Sequence, residues 1–288
     1  MSEHLLICTD LDRTLIPNGP QPESPLARPY FAALVSRADV SLAYVSGRHR
    51  SLVEQAISDF QLPDPDFVIG DVGTTIYRVI AEQDWQHDDA WENEIALDWA
   101  GNTHAGLVNL LADIPALQLQ ETDKQNSCKL SFYVPLQADS LALSATIEAR
   151  LELVGAHCRL IWSIDEPENV GLLDILPQRA SKYHAVRALI RDGGFDLGRT
   201  VFCGDSGNDI EVLVSPVPSV LVANGSDEVR REAISKAEAG GQSENLYVAH
   251  GGLLDMNGNY AAGMLEGIVH YHPETLAWMQ FSAPPEVT

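Results

Sequence analysis

Four short clusters of carboxylates, hydroxyls and one lysine stand at separated points of the sequence. They are Asp10-Leu11-Asp12-Arg13-Thr14, Ser46-Gly47-Arg48, Lys182, and Gly204-Asp205-Ser206-Gly207-Asn208-Asp209. A carboxylate such as Asp10, placed directly after an apolar run, can attack phosphorus and so divide one hard displacement into two easier ones. Asp12, two residues on, would face the same way; it can protonate the departing ester oxygen and later deprotonate the water that attacks the intermediate. Asp10, Asp205 and the Asp12 backbone carbonyl are a candidate set for Mg²⁺, which is typically held by one or two carboxylates, phosphate oxygens and water. Asp209 and Asn208 would steady those ligands from behind. The Ser46 hydroxyl and the Gly47 N–H can reach phosphate oxygens, and Lys182 brings a compact positive charge to where a phosphoryl group and Asp10 must coexist. Taken singly, each cluster has a plainer reading: a solvated turn, an Asx-rich helix cap, a surface lysine. Taken together they converge on phosphoryl transfer.

These residues need a scaffold that brings distant points of the chain to one crevice. Residues 5–9 are a short apolar run that reads as a buried parallel strand ending at Asp10. Residues 17–29 are a proline-rich loop, and a helix follows over 26–37. A second strand over 40–45 ends at Ser46; a helix over 51–60 and a third strand over 67–69 follow, with Gly70, Asp71 and Gly73 in the next turn. Strand, helix, strand, helix, strand means a parallel sheet with helices on its faces, and ligands bind such sheets beyond the carboxyl ends of the strands. From residue 82 the style changes to an acidic stretch with Trp85 and Trp91, then Trp99. Then come a helix over 106–112, strict alternation over 129–134, a helix over 140–153, and strands over 159–164 and 171–176. The first style resumes with a helix over 182–191, a strand over 200–203, a helix over 210–214, a strand over 219–222 and a helix over 264–269. The expected architecture is α/β: a doubly wound, Rossmann-like parallel-sheet core from 1–81 and 178–288, with an α+β module inserted at 82–177.

Composition limits the partners. Lysine and arginine total 18 against 41 acidic residues, and the resulting net charge of −23 repels nucleic acid and anionic membranes. An anionic substrate must therefore be drawn by a cation and a few basic side chains at the site itself. Cys8, Cys128, Cys158 and Cys203 form no C-x-x-C pair and read as reduced core thiols, Cys8 and Cys203 falling on strands that could bring them close. No long apolar run suggests a membrane span, and the opening residues lack the pattern of a signal peptide, so a cytoplasmic, monomeric protein is expected. His270 and His272 read as helix-end residues rather than metal ligands.

The four clusters resemble the motifs of haloacid dehalogenase (HAD) superfamily phosphatases, and the insertion between the second and third resembles the type IIB cap of that group. Within it, Leu42-Ala43-Tyr44-Val45-Ser46-Gly47-Arg48, Val72-Gly73-Thr74-Thr75-Ile76-Tyr77, Lys129-Leu130-Ser131-Phe132-Tyr133, Asp174-Ile175-Leu176-Pro177-Gln178-Arg179 and Cys203-Gly204-Asp205-Ser206-Gly207-Asn208-Asp209-Ile210 resemble the sucrose-phosphate phosphatase family. The resemblance implies Asp10 as nucleophile and Asp12 as general acid and base. It implies Ser46, Gly47 and Lys182 on phosphate, and Mg²⁺ at Asp10, Asp12 and Asp205, with Asp209 beside them. It implies a sugar phosphate as substrate, sucrose 6-phosphate first, with a mannosylfructose phosphate, a mannosyl-3-phosphoglycerate or a hexose phosphate as alternatives. Arg48 and Asn208 are candidate substrate contacts from the core. In the cap, Lys129, Ser131 and Tyr133 alternate along one strand and so share a face, and with Asp174 and Gln178 they are the candidate sugar contacts. Two positions depart from the pattern: Arg13 stands where Asn or Gly is usual, and Ser181 precedes Lys182 where Asn is frequent. A long cation at position 13 could contact the cap or a further anionic group on the substrate. A phosphoacceptor switch would use similar aspartates, a hydroxyl and a lysine, but Asp12 suits rapid hydrolysis of an aspartyl-phosphate that a switch must preserve. A non-catalytic relative would not be expected to keep all four motifs.

Overall fold

Strand β1 (Leu5–Thr9) is apolar up to its last residue and buried on both faces, which places it at the centre of a sheet rather than its edge. In the computed structural model, which describes residues 4–81, 84–165 and 168–279, the chain continues through α1 (Ala27–Val35), β2 (Val40–Val45), α2 (Arg50–Phe60) and β3 (Phe67–Gly70). It then turns back on itself in β4 (Thr75–Ala81) and β5 (Asp84–His87), followed by α3 (Asp89–Ala96). A second module holds α4 (His104–Leu111), β6 (Gln118–Leu119), β7 (Leu130–Val134), α5 (Ser140–Leu153), β8 (Cys158–Asp165) and β9 (Val170–Pro177). The chain returns through α6 (Lys182–Gly193), β10 (Thr200–Gly204), α7 (Ile210–Leu213), β11 (Ser219–Leu221), α8 (Asp227–Ala239), β12 (Leu246–Val248), α9 (Ala261–Tyr271) and α10 (Thr275–Trp278).

The large sheet has the order β12-β11-β10-β1-β2-β3-β4-β5, parallel from β12 to β3 and antiparallel across β3-β4-β5. Alternation within β1 sends Leu5 and Ile7 to one face, packed on Phe31, Val53 and Leu265 of α1, α2 and α9. Leu6 and Cys8 go to the other face, packed on Val186, Leu189 and Ala233 of α6 and α8. Both faces are thus covered, as in the doubly wound sheet expected. Cys8 and Cys203 lie on neighbouring strands, but their side chains enter opposite core clusters and the two do not face each other.

The smaller antiparallel sheet, ordered β6-β7-β9-β8, is covered on one face by α4 and α5 through Leu107, Leu111, Ile147 and Leu151. The opposite face carries the paired Ser131 and Asp174. One expectation is corrected. The acidic, Trp-rich stretch after residue 82 is expected in the inserted module, yet β5 pairs with β4 at the edge of the large sheet, and Trp91 and Ile95 of α3 pack in its core. Most acidic residues of this stretch belong to α3 and its N-cap, on a helix that turns Trp91 and Ile95 inward, so the change of composition marks an exposed helix face on the large sheet. Among the described residues no helix is long and apolar enough to cross a membrane.

Candidate active site

Asp10 is the first residue past β1. Its backbone N–H donates to the Cys203 carbonyl at 2.9 Å, and the chain then winds tightly, with the N–H groups of Thr14, Leu15 and Ile16 all directed to the Leu11 carbonyl. This turn presents the Asp10 carboxylate to the crevice between β1, β2 and β10. Lys182 enters the same crevice from the first turn of α6, whose start is fixed by the Ser181 hydroxyl accepting from the His184 N–H. Lys182 is only 2% exposed. Its Nζ donates to Asp10 Oδ1 at 2.9 Å, Asp209 Oδ1 at 2.7 Å and Asn208 Oδ1 at 3.2 Å.

Asp10, Asp205 and Asp209 form a buried group whose nearest oxygens lie within 4.8 Å of one another. Burial, reinforced by Asp209 and Asp205 and opposed by Lys182, pushes the Asp10 pKa up to about 7. Burial and Asp209 likewise raise Asp205 to about 6, against the pull of Arg13 and Lys182. Burial works against the Lys182 charge, but Asp10 and Asp209 outweigh it and hold that pKa above the usual lysine value. Three carboxylates thus share one ammonium in a poorly solvated place. An all-oxygen donor set short of positive charge fits a hard divalent cation such as Mg²⁺.

The three carboxylates are not equivalent. Asp209 is fully buried and both its oxygens are engaged: Oδ1 takes Lys182, and Oδ2 takes the N–H groups of Asp205 and Ser206 and the Ser206 hydroxyl. Among the described residues the Asp205 carboxylate has only a 3.4 Å bond from the Thr14 hydroxyl and a 3.4 Å approach of Arg13 Nε. Asp12 lies outside the group. Its carboxylate is taken bidentately by Arg48, from Nε and Nη2 at 2.7 Å each, and by Asn18 Nδ2 at 2.8 Å. Burial opposes its ionisation, yet the Arg48 bonds win and hold its pKa below the ordinary aspartate value. Ser46, at the end of β2, is buried, and its Oγ accepts from the Arg48 N–H at 3.2 Å.

A cleft of about 360 Å³ opens over these groups, lined by residues of the first, second and fourth motifs, Arg13 among them, together with Ser226 and Val229. A larger hollow of about 780 Å³ lies by His4, Ser41 and Phe67, at the amino ends of the strands. Open α/β sheets bind ligands at the carboxyl ends, so the smaller cleft is the one with chemistry.

The cap candidates do not line that cleft among the described residues; each is held by protein groups. Lys129 Nζ lies 2.6 Å from Asp71 Oδ1, both side chains being buried. Ser131 Oγ donates to Asp174 Oδ1 at 2.5 Å, and the Tyr133 hydroxyl sits between Lys124 Nζ and Glu121 Oε2 at 2.8 Å each. Gln178 is bound through its backbone to His157 and Arg159 and borders a different hollow, beside Asp98. Asn208 Oδ1 faces Lys182 and the Ser206 hydroxyl. His270 stacks on Tyr247, and His272 is wedged by Arg199 and Glu274, neither near the carboxylates. Sequence reasoning missed Asp71, Asn18 and Asn224. Asp71 had a signal, its place just past the carboxyl end of β3, the same kind of position that marked Asp10 and Ser46.

A family model described as sucrose-6F-phosphate phosphohydrolase matches residues 3–272. The chain belongs to this family. It is similar to a putative HAD-like hydrolase of Nitrosococcus oceani, 50% identical over 280 residues, covering 97% of this chain and 75% of that one. It is similar also to sucrose-phosphatase 1 of Nicotiana tabacum, 30% identical over 277 residues, covering 93% of this chain but 59% of the tobacco protein. Among solved structures, the sucrose-phosphatase of Synechocystis in complex with sucrose and phosphate superposes with a TM-score of 0.70 at 24% identity, covering 93% of this chain and 98% of that one. That likeness speaks to the fold, which is the HAD fold. Membership in the sucrose-6F-phosphate phosphohydrolase family makes the chain a phosphatase.

Proposed function

We propose that this phosphatase hydrolyses the phosphate monoester of a sugar, sucrose 6-phosphate before others, through an aspartyl-phosphate on Asp10. The observation that carries the reading is the Asp10 carboxylate, buried at the end of β1 with Lys182 Nζ at 2.9 Å and Asp205 beside it, under an open cleft. An oxygen of Asp10 attacks phosphorus; the bond from phosphorus to the sugar oxygen breaks, and Asp12 gives that oxygen its proton. A carboxylate gripped by a guanidinium is ionised, so to serve as the acid Asp12 must part from Arg48 and take up a proton from solvent before the ester bond breaks. In the second half Asp12 takes a proton from water as its oxygen bonds phosphorus. The bond to Asp10 breaks, and inorganic phosphate leaves. Lys182, the Ser46 hydroxyl and the Gly47 N–H hold phosphoryl oxygens throughout.

Asp10 and Asp205 are the residues that would hold Mg²⁺, with Asp209 acting behind them through Lys182 and the backbone of residues 205–206. When bound, the ion neutralises phosphoryl charge and aligns the reacting oxygens. Family membership and the relatives named sucrose-phosphatase support sucrose 6-phosphate. A mannosylfructose-phosphate phosphatase of Agrobacterium fabrum, 28% identical over 225 residues, makes that disaccharide phosphate the competitor to include. The test compares kcat/KM for sucrose 6-phosphate, mannosylfructose phosphate, mannosyl-3-phosphoglycerate and glucose 6-phosphate. Sucrose 6-phosphate is expected to lead by tenfold or more, and a flat profile would sink that assignment.

A further inference from the structure

Arg13 holds its backbone at φ +59°, in the left-handed region that long side chains seldom occupy. Two asparagines keep it there. Asn18 Oδ1 accepts from the Arg13 N–H at 2.8 Å, and the buried Asn224 donates from Nδ2 to the Arg13 carbonyl at 2.6 Å. The same Asn18 binds the Asp12 carboxylate, so the turn that sets Arg13 also sets Asp12. Glycine or asparagine would fill this backbone position with less strain, and strain kept beside an active site points to a use for the side chain.

That side chain is 45% exposed and lines the cleft on the Asp205 side, with Arg48 on the Asp12 side. The two arginines differ in what remains open to a ligand. Arg48 has committed Nε and Nη2 to Asp12, and its Nη1 lies 3.4 Å from the Leu52 carbonyl. Arg13 makes only the 3.4 Å approach of Nε to Asp205, and its Nη atoms have no hydrogen-bond partner among the described residues. Among the described residues no cap side chain lines the cleft, so the part of a substrate beyond phosphorus meets the rim of the core there.

We propose that Arg13 is a specificity-determining residue whose Nη donors grip the hydroxyl oxygens of the sugar leaving group from the core side. The inference rests on the phosphatase reading above and adds to it a leaving-group contact outside the cap. A fixed planar fork of donors suits adjacent hydroxyl oxygens, which a sugar leaving group carries and a p-nitrophenyl group lacks.

The test measures kcat/KM for sucrose 6-phosphate and for p-nitrophenyl phosphate with the parent enzyme and with Arg13→Asn and Arg13→Lys. Asparagine tolerates the left-handed backbone and so keeps the turn while removing the fork; lysine keeps the charge alone. The ratio of the two kcat/KM values is expected to fall about ten- to hundredfold in Arg13→Asn, mostly through KM for the sugar ester, and to be recovered only in part by Arg13→Lys. An unchanged ratio overturns the proposal, whether both activities persist or both fall together. An equal fall accompanied by a higher Mg²⁺ requirement would reassign Arg13 to Asp205. A parent enzyme that hydrolyses neither ester would refute the phosphatase reading and this inference with it.

Discussion

Lys129, at the head of a cap strand, sets its ammonium 2.6 Å from the Asp71 carboxylate in the turn after β3, and both side chains are buried. The pair joins the cap to the core, and its cost and its worth lie in desolvation. Removing one partner leaves an uncompensated buried charge, whereas replacing both by neutral groups need not destabilise. Lys129→Met is therefore expected to cost about 3 kcal/mol in urea unfolding, and Lys129→Met with Asp71→Asn to recover most of that loss. Additive losses in the double variant would contradict the pairing.

Asp174 pairs across β7 and β9 with Ser131, and burial raises its pKa above the ordinary value, against the pull of Lys129 and the Ser131 hydrogen bond. An acid raised on folding contributes stability that is full below its unfolded pKa, about 4, and is lost as pH rises through the folded pKa. Asp174→Asn does not titrate. Its Tm relative to the parent should therefore be more favourable at about pH 8 than at about pH 4. A constant or reversed difference in thermal scans would show that the carboxylate is not strained by burial.

Asp10→Asn keeps the shape of the nucleophile and removes its reactivity. Turnover of the best sugar phosphate should fall at least about a thousandfold while calorimetry still detects substrate binding. Turnover near the parent rate would exclude the covalent route.

Asp205 and Asp209 should part company on mutation. EDTA is expected to silence the enzyme and Mg²⁺ to restore it. Asp205→Asn should raise the half-activating Mg²⁺ concentration at least about tenfold. Asp209→Asn, at a residue whose two oxygens already serve Lys182 and the 205–206 backbone, should lose about 2–3 kcal/mol of stability instead. The reverse pattern would exchange the two assignments.

The place of the candidate site is legible because Asp10, Ser46 and Asp205 follow buried strands, and a buried strand is written in plain apolar runs. Lys182 stood out because the chain has few basic residues. Alternation over 129–134 puts Lys129, Ser131 and Tyr133 on one face, but alternation carries no information about partners, and the structure pairs them with Asp71, Asp174, Lys124 and Glu121. The Arg48–Asp12 fork depends on rotamers that no spacing encodes. Helix α8 escaped notice because it buries only Ala233 and Ala237, although Ser226 followed by Asp227 and Glu228 is a serviceable start signal. Strand β12 is three residues long, too short for a period to appear.

The turn from Asp71 to Thr74 is a common datum for parts that come from three other regions of the chain. Three successive residues, Asp71, Val72 and Gly73, have positive φ. Lys129 and Asn126 of the cap lean on it, Trp91 of α3 donates to the Gly73 carbonyl, and the Ser181–Lys182 peptide presses so close that a Cβ on Gly73 would lie 2.8 Å from the Lys182 nitrogen. Cap and phosphate-side lysine are thus dowelled to the same few atoms. A single methyl group at position 73 would move both out of true together, and the enzyme would lose its aim without losing a catalytic group.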